Sequence, residues 1–299
     1  MYMTGFADEA SPSLDIQTRV TKELGWRAIE ARNVKVDDFP AGNIHDISDA
    51  AFDRLAVTLE AAGIRINCFG SAIGNWSKHI DQPFETSLAE VRRSIPRMQK
   101  LGTKLARIMS FAVRDDKDQM ETERFRRVRE IQRMFADAGL TALHENCMNY
   151  GGMGWQFTLK LLENVPGLKL VYDTGNPVAS DDRSKPKPYP KQSSWEFYSH
   201  VREHAAYIHI KDGIYDATAQ KMIFTYPGEG HGDIPKIIKD LFSRGYDGGF
   251  SIEPHLGTVF HDPNSQRSLD AAEIYATYGR RMMKMINNIR TELRLPLYR

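Results

Sequence analysis

Four potential metal-binding side chains recur through the second half of the sequence, each in or directly after a short apolar run. With the segments that carry them, they are Glu145 in ALHEN, Asp173 in LVYDTGN, His209 in AYIHIKD and Glu253 in GFSIEPH. Three carboxylates and an imidazole, without cysteine, form a donor set that suits Mn, Mg, Co or Zn. Carboxylates without a counter-charge would repel one another and take up protons, whereas a divalent cation stabilises them as anions. The pattern therefore predicts a site for one divalent metal ion.

Each of these four side chains also has an ordinary structural explanation. Glu145 could cap a helix or lie in a loop, and Asp173 could begin a turn. His209 could be a core histidine that bonds a backbone carbonyl, and Glu253 could pair with an arginine. These explanations weaken when taken together, because all four residues fall at the ends of successive predicted strands, where a barrel places its active site.

Further side chains are candidates for binding a substrate. Lys211 and His255 each lie two residues beyond a candidate ligand, and the period of two in a strand puts them on the same face as that ligand. Glu30 lies in the second predicted strand, where a salt bridge to a neighbouring strand would explain it equally well. His231 lies in the loop 228–233, where it could touch a substrate or simply be part of a flexible turn.

The elements that must position these residues follow from hydrophobic periodicity. Short apolar runs, typical of buried strands, alternate with longer amphipathic segments. The predicted strands cover residues 3–7, 27–31, 64–69, 105–109, 141–144, 168–172, 206–210 and 249–252, and the predicted helices cover 14–24, 48–62, 84–101, 118–138, 155–164, 194–204, 234–244 and 269–294. Strands separated by helices in this way indicate βαβ units and a parallel sheet. Eight such pairs predict an α/β protein with a single (β/α)8 TIM barrel domain over residues 1–299.

A doubly wound open sheet is the alternative fold. No glycine fingerprint follows the first predicted strand, where GFADEAS stands, so the barrel is favoured. We expect the left-handed conformation of a helix C-cap at five glycines that follow helical segments: Gly25, Gly63, Gly102, Gly139 and Gly245.

Two loops in the second half of the chain have more than one interpretation. The loop 180–194, rich in Pro, Lys and Ser, is either a mobile surface loop or a lid, because it follows the strand that ends in Asp173. The three glycines of the loop 228–233 suggest a phosphate cradle, but a single glycine-rich loop is weak support for one. An ordinary loop before the seventh helix is favoured there.

The composition narrows the classes of function. With 40 basic and 39 acidic residues the net charge is +1, so no overall excess of positive charge is available for a phosphate backbone, and nucleic-acid binding is not expected. Cys68 and Cys147, the only cysteines, form neither a disulfide framework nor a zinc-binding spacing. The start MYMTGFADEASP lacks the features of a signal peptide, and no apolar stretch reaches the roughly 18 residues of a bilayer span. We therefore expect a cytoplasmic protein, by default.

The segments HEN, VYDTGN, YIHIKD, PGEGHGD and SIEPH together resemble the xylose-isomerase-like TIM-barrel superfamily. This group includes ketose 3-epimerases, hydroxypyruvate isomerase, inosose dehydratase and an AP-endonuclease branch. The resemblance implies that one metal is held, in this order, by Glu145, Asp173, His209 and Glu253. It also implies that the catalytic residues Glu145 and Glu253 lie on opposite faces of a bound sugar and exchange protons with its carbons through a metal-stabilised enediolate.

One position departs from the epimerase-like pattern. Those relatives often carry a histidine three residues after the aspartate, where this sequence has Asn176. Asparagine can hydrogen-bond a substrate oxygen but does not titrate near neutrality, so the departure weighs against a simple transfer of ketose 3-epimerase activity. The third and fourth predicted strands end in NCFGS and RIMSF without a histidine, which disfavours the trinuclear endonuclease branch.

Three functional hypotheses follow. The first is a metal-dependent isomerase or epimerase that acts on a small sugar or sugar derivative by proton abstraction next to a carbonyl. The second keeps the site but makes the protein a dehydratase or lyase, which eliminates a hydroxyl or glycosidic oxygen from a keto-sugar or keto-glycoside. The third is a non-catalytic sugar-binding subunit, against which the two glutamates argue. A homo-oligomer is compatible with each of them, and no membrane partner is expected.

Overall fold

The barrel is built from eight parallel strands that alternate with eight long helices in the part of the chain that this computed structural model describes, residues 1–115, 118–259 and 266–298. The strands are β1 Tyr2–Gly5, β2 Ala28–Ala31, β3 Arg65–Gly70, β4 Leu105–Ile108, β5 Thr141–Glu145, β6 Lys169–Asp173, β7 Ala205–Ile210 and β8 Gly249–Ile252. The helices are α1 Leu14–Glu23, α2 Asp49–Ala62, α3 Glu85–Leu101, α4 Glu121–Asp137, α5 Trp155–Asn164, α6 Ser194–Val201, α7 Ile234–Ser243 and α8 Ala271–Glu292.

The strands pair in chain order around a closed ring. Each of β2 to β8 is hydrogen-bonded to the next, and β8 pairs in parallel with β1. A parallel bridge between Phe6 and Glu30 joins the end of β1 to β2 and closes the remaining gap. The predicted (β/α)8 barrel is confirmed.

Most predicted boundaries agree with the structure to within two residues, and α5 and β8 agree in full. The five predicted glycine caps all adopt left-handed φ angles, from 65° to 80°. The predicted helix 118–138 begins only at Glu121, because Met120 has a φ of 50°, which an α-helix does not accommodate. The predicted helix 194–204 narrows after Val201 into the 3-10 turn Arg202–His204.

Two short hairpins and three further turns of helix were not predicted. One hairpin pairs Asn33–Val34 with Gly42–Asn43, and the other pairs Gly213–Asp216 with Lys221–Phe224 directly after β7. Short helical turns form at Ala7–Glu9, Tyr150–Met153 and Asn176–Ala179. These segments are too short to show a hydrophobic period. Among the described residues, no helix combines the length and apolarity needed to cross a bilayer.

The interior of the barrel changes from apolar to charged toward the carboxyl ends of the strands. A buried layer near the amino ends consists of Cys68, Leu143, Val171 and Tyr207, with Tyr2 and Leu105 packed against it. Side chains two residues apart point the same way in a strand. The next interior positions along β5, β6 and β7 are therefore occupied by Glu145, Asp173 and His209, which are all buried. An apolar layer thus supports the charged residues from below.

The carboxylate of Asp212, directly after β7, organises the glycine-rich loop before α7. It accepts hydrogen bonds of 2.7 to 3.1 Å from the amides of Gly213, Gly228, Gly230 and Gly232. A Cβ atom added at Gly230 or Gly232 would lie 2.4 or 2.8 Å from Asp212 Oδ1, so only glycine permits this approach. The loop surrounds a carboxylate of its own chain, and these amides are not presented to a phosphate.

We expect Asp212→Ala to lower the free energy of unfolding by about 3 kcal/mol, because the loop amides lose their acceptor and each unsatisfied buried donor costs roughly 1–3 kcal/mol. Urea denaturation followed by circular dichroism measures the change. Asp38→Ala removes an exposed carboxylate and is expected to change stability by less than about 0.5 kcal/mol. Equal stability of the two variants would show that Asp212 does not hold the loop.

Candidate metal centre

Four side chains from consecutive strands meet at the carboxyl end of the barrel. Glu145 and Asp173 are the last residues of β5 and β6, His209 lies near the end of β7, and Glu253 directly follows β8. One ligand atom from each of the four lies within 4.8 Å of the others, and all four residues are buried. The sequence separates them widely, and the parallel register of neighbouring strands brings them together.

His209 is fixed by a carboxylate behind it. Its Nε2 lies 3.1 Å from Glu30 Oε2, and the Tyr207 hydroxyl donates a hydrogen bond of 3.0 Å to the same carboxylate. Because an ionised carboxylate only accepts, Nε2 carries a hydrogen and Nδ1 is the ring atom available to a metal. Nδ1 is buried with no hydrogen-bond partner among the described residues and lies 3.5 Å from Glu145 Oε1.

Asp173 presents one oxygen to the backbone and the other to the centre. Its Oδ1 accepts hydrogen bonds from the amides of Gly175 at 2.9 Å and Asn176 at 2.6 Å. Its Oδ2 is buried, has no hydrogen-bond partner within the described ranges, and lies 3.2 Å from the Lys211 ammonium. The side chain of Asn146 bonds both the amide and the carbonyl of Asp173, at 2.7 and 3.0 Å, which fixes the end of β6.

Both carboxylate oxygens of Glu145 accept a hydrogen bond from a neighbouring side chain. Arg107 donates a hydrogen bond of 3.0 Å to its Oε2, and the Asn176 side chain donates one of 3.1 Å to its Oε1. Arg107 is held in turn by the Ser71 carbonyl at 3.0 Å, and its guanidinium lies 5.3 Å from the centre of the Phe6 ring. This carboxylate is therefore oriented by groups on four different barrel loops or strands.

Glu253 is held by two cations. Arg32 donates a hydrogen bond of 2.8 Å to its Oε1, and Lys211 donates one of 2.7 Å to its Oε2. Arg32 also pairs with Asp8 at 2.9 Å. Lys211 lies between the oxygens of Glu253 and Asp173, where its ammonium balances both carboxylates.

The neighbouring charges keep both glutamates ionised. Burial raises the pKa of Glu145, but Arg107 and His209 outweigh it and lower this pKa to about 2. Burial also raises the pKa of Glu253, yet Lys211 and the other cations around it lower the pKa well below the ordinary value. Both side chains are therefore anionic at neutral pH.

The other two candidate ligands have raised pKa values. Burial raises the pKa of Asp173 to about 6, although Lys211 opposes the shift. Burial lowers the pKa of His209, but Glu30 and Glu145 outweigh it and raise this pKa to about 10. Without a metal, His209 is thus an imidazolium at neutral pH.

The residues present fit a divalent cation. The donor set of three carboxylates and one imidazole is close enough to converge on one ion. Two of its ligand atoms, His209 Nδ1 and Asp173 Oδ2, are buried polar atoms without a hydrogen-bond partner in the part of the chain that the structure describes. Because such atoms are costly to bury, they mark the place where a cation would be stabilised. These four residues could hold a metal ion.

A cavity of about 690 Å³ opens above this cluster. Of the residues predicted to bind a substrate, Asn176, Lys211 and His255 line it, and Glu30 and His231 are not among its described lining residues. Glu30 lies beneath His209, fully buried. The side chain of His231 is exposed, and its amide donates to the Gly213 carbonyl at 2.8 Å. The structure therefore does not bring these two residues to the place where a substrate would lie.

Two arginines of the site are not predicted by the sequence. Arg32 and Arg107 line the cavity and pair with the two glutamates. Arg107 stands out in the sequence because it is a charged residue inside the apolar segment LARIM. The sequence does not show its partner, Glu145, which lies on the next strand after an intervening helix. Glu9 is also not predicted by the sequence. It pairs with His255 Nδ1 at 2.9 Å, where the last strand of the barrel meets the first.

The loop 180–194 lies at the mouth of the cavity, which Asp181, Arg183 and Lys191 line. Its two ends are joined by an antiparallel bridge between Asp181 and Lys191. The Gln192 side chain ties it to the Gly152 carbonyl at 2.8 Å. The position is that expected of a lid, and closure of this loop stays a prediction.

The sequence of residues 18–277 matches the family model of the xylose isomerase-like TIM barrel. The chain belongs to this family. No curated protein matches it significantly. The family assignment confirms the resemblance carried by the segments around the four candidate ligands.

Solved structures of the same family share the fold over nearly the whole chain. IOLI protein with a bound zinc atom has a TM-score of 0.70 at 13% identity, and the alignment covers 97% of this chain and 99% of that one. A D-tagatose 3-epimerase-like protein has a TM-score of 0.68 at 15% identity, with coverage of 98% and 100%. The probable 3-DHS dehydratase AsbF of Bacillus anthracis, involved in petrobactin synthesis, has a TM-score of 0.64 at 17% identity, with coverage of 94% and 98%. At these identities the likeness shows the fold alone.

We expect Arg107→Ala to lower the free energy of unfolding of the metal-free protein by about 3–5 kcal/mol, because it leaves the buried carboxylate of Glu145 without its cation. Arg92→Ala is the matched control, because it breaks an exposed pair with Glu85 that is worth at most about 1 kcal/mol. Chemical denaturation after chelation measures both variants. Similar losses for both would mean that the Arg107 pair does not stabilise the site.

We expect metal affinity to rise with pH, because the cation must displace protons from His209 and Asp173. Their pKa values of about 10 and about 6 mean that the metal-free site holds these protons at lower pH and loses them as pH rises. The association constant for Mn²⁺ should increase up to about tenfold per pH unit for each displaced proton. Isothermal titration calorimetry in buffers of different ionisation enthalpy counts the released protons. Affinity that stays constant across this range, without proton release, would contradict the expectation.

Proposed function

We propose that this protein is a divalent-metal-dependent isomerase or epimerase that moves a proton at a carbon next to the carbonyl of a small sugar or sugar derivative. The observation that carries the proposal is the buried cluster of Glu145, Asp173, His209 and Glu253, whose ligand atoms lie within 4.8 Å of one another. Glu145 and Glu253 line the cavity above this cluster. Mn, Mg, Co and Zn suit this donor set. The D-tagatose 3-epimerase-like neighbour is consistent with this class of reaction.

The two glutamates are suited to accept and return a proton. Both are held as carboxylates by the cations beside them, and each is fixed in orientation by an arginine. A carbon acid beside a carbonyl is too weak for a carboxylate alone, and a divalent cation bound at the four ligands would supply the Lewis-acid polarisation that lowers its pKa. Glu145 ends β5 and Glu253 follows β8, so the two would approach a substrate carbon from different strands of the barrel, as proton transfer on opposite faces requires.

Three other side chains are placed to bind substrate oxygens. Asn176 donates to Glu145 at 3.1 Å and has a second amide hydrogen to offer. Lys211 faces the floor from β7, and His255 lies beside Glu253, with 3.7 Å between His255 Nε2 and Glu253 Oε1. These donors can orient hydroxyl groups so that the reacting carbon lies between the two glutamates.

Elimination from a keto-sugar or keto-glycoside is the second candidate. The observation that favours it is the pair of side chains beside Glu253, Lys211 and His255, which could hydrogen-bond an oxygen that leaves. The first step, proton abstraction next to the carbonyl, is the same as in isomerisation. The neighbour described as a probable dehydratase is consistent with this alternative.

The decisive measurement is the exchange of carbon-bound hydrogen with solvent. Protein loaded with Mn²⁺ is incubated with a panel of ketoses and keto-glycosides in deuterated water, and the products are analysed by NMR and mass spectrometry. We expect solvent deuterium at the carbon next to the carbonyl in an isomerised product. Glu253→Gln should slow this exchange about 10²–10⁴-fold, the usual contribution of a general base.

Glu229→Gln is the matched control, because Glu229 forms an exposed pair with Arg281 away from the cavity. Metal content is measured for every variant, so that loss of the ion is distinguished from loss of the base. An enone or a released aglycone would favour elimination. Tight sugar binding without exchange would support a sugar-binding subunit instead, and full exchange after chelation would contradict the role of the metal.

A further inference from the structure

The cavity above the candidate metal centre has two chemically different parts. Its floor carries charged side chains, namely Arg32, Arg107, Glu145, Lys211 and Glu253. One upper wall is mainly apolar and carries Trp76, Met109, Val113, Met148 and Met153, with the polar residues Asn75, His79 and Asn149 beside them. Trp76 is 38% exposed and Met148 is 44% exposed. Large apolar side chains left open at the mouth of a cavity mark a surface that binds a ligand.

This apolar wall is continuous, because the loops after β3, β4 and β5 are tied together. The amide of Met109 donates to the Ile73 carbonyl at 3.0 Å, and the amide of Tyr150 donates to the Phe111 carbonyl at 3.2 Å. The wall therefore forms one surface above the neighbouring strands that carry Arg107 and Glu145. Methionine side chains adapt their shape to different apolar partners.

The hairpin after β7 supplies the opposite apolar wall. Met222 and Phe224 line the cavity, whereas Ile223 between them is not among its described lining residues, as the alternation of a strand requires. The Phe224 ring lies edge-on against the imidazole of His255, with 4.9 Å between ring centres. The second wall thus begins directly above the residues around Glu253.

The charges at the mouth are paired with one another. Arg183 pairs with Asp115. Lys191 pairs with Asp181 at 2.7 Å, and its ammonium also lies 4.3 Å from the centre of the Tyr215 ring. Because each of these cations has its own counter-charge, the described residues of the mouth offer no excess charge to attract a charged substituent. A volume of about 690 Å³ falls in the range of roughly 300–1,000 Å³ that is usual for drug-sized ligands.

We propose that the substrate is a sugar that carries an uncharged aromatic or aliphatic substituent, with the sugar ring on the charged floor and the substituent between the two apolar walls. The inference rests on the proposed function in one respect: the floor is taken as the place where the sugar reacts. It adds the substrate class, because a bare sugar would leave Trp76, Met148 and Met222 in contact with water. Such apolar surface favours a ligand that buries it.

The test compares matched ligands on the Mn²⁺-loaded protein by isothermal titration calorimetry. The ligands are the methyl and phenyl β-glycosides of glucose, galactose and xylose, together with their 3-keto derivatives. We expect the phenyl member to bind about tenfold more tightly than the methyl member in at least one series, because the ring buries additional apolar surface. Binding is measured without turnover.

Variants of the walls locate the preference. Met222→Ser and Trp76→Ser should each reduce the phenyl-to-methyl affinity ratio several-fold, because they remove apolar surface from the walls. Ile223→Ser is the matched control on the same hairpin and should leave the ratio unchanged, because its side chain faces away from the cavity lining.

Equal affinity for phenyl and methyl members in every series would overturn the inference. A preference that survives both wall variants would overturn it as well. A disaccharide that binds as tightly as the phenyl glycoside would show that the walls accept a second sugar ring instead. Deuterium exchange with simple ketoses is measured separately. A missing phenyl-to-methyl preference would overturn only the substrate class, whereas missing exchange would overturn the proposed proton transfer.

Discussion

Charged side chains inside the closed barrel are removed from water, so each must have an opposite charge or a hydrogen-bond donor within reach. Glu30, Glu145, Asp173 and Glu253 contribute four buried carboxylates, which are balanced in the metal-free protein by Arg32, Arg107, Lys211 and a protonated His209. The geometry of the site follows from this balance. Removing Arg107, for example, takes away the cation that is hydrogen-bonded to the buried carboxylate of Glu145.

The same balance explains how the centre could accept a cation without rebuilding the site. The carboxylate of Glu30 keeps Nε2 of His209 as a donor and leaves Nδ1 directed toward Glu145. Asp173 uses Oδ1 for the backbone and leaves Oδ2 for the centre. A divalent ion would replace the proton on His209, and at lower pH the proton on Asp173 as well, so the total charge of the interior would rise by less than the two charges of the ion.

The strands and the loops of the barrel have different roles in the site. Strand ends hold the charged floor, where neighbouring parallel strands fix the distances between ligands. Loops form the cavity walls, with Trp76, Met148 and Met222 on three of them. Loops carried on a rigid scaffold tolerate sequence change more readily than strands. In this protein the loop walls are therefore the part suited to select a ligand, and the strand ends are the part suited to hold the charged groups.

The sequence by itself determined the (β/α)8 fold and most element boundaries, and it indicated the four candidate ligands, because hydrophobic period and strand ends are local properties. It also placed Asn176, Lys211 and His255 near them, since these residues follow strand ends directly. Only the tertiary structure decided that Glu30 lies beneath His209, that Arg107 and Arg32 hold the two glutamates, and that Asp212 fills the glycine-rich loop. The pairs of Glu30 with His209 and of Arg32 with Glu253 join residues distant in sequence through the closure of the barrel. Arg107 instead pairs with the next strand, and Asp212 bonds a loop that begins 16 residues later. A periodic pattern shows which face a residue occupies, but the partner across the barrel is fixed only when the strands close and buried charges must pair.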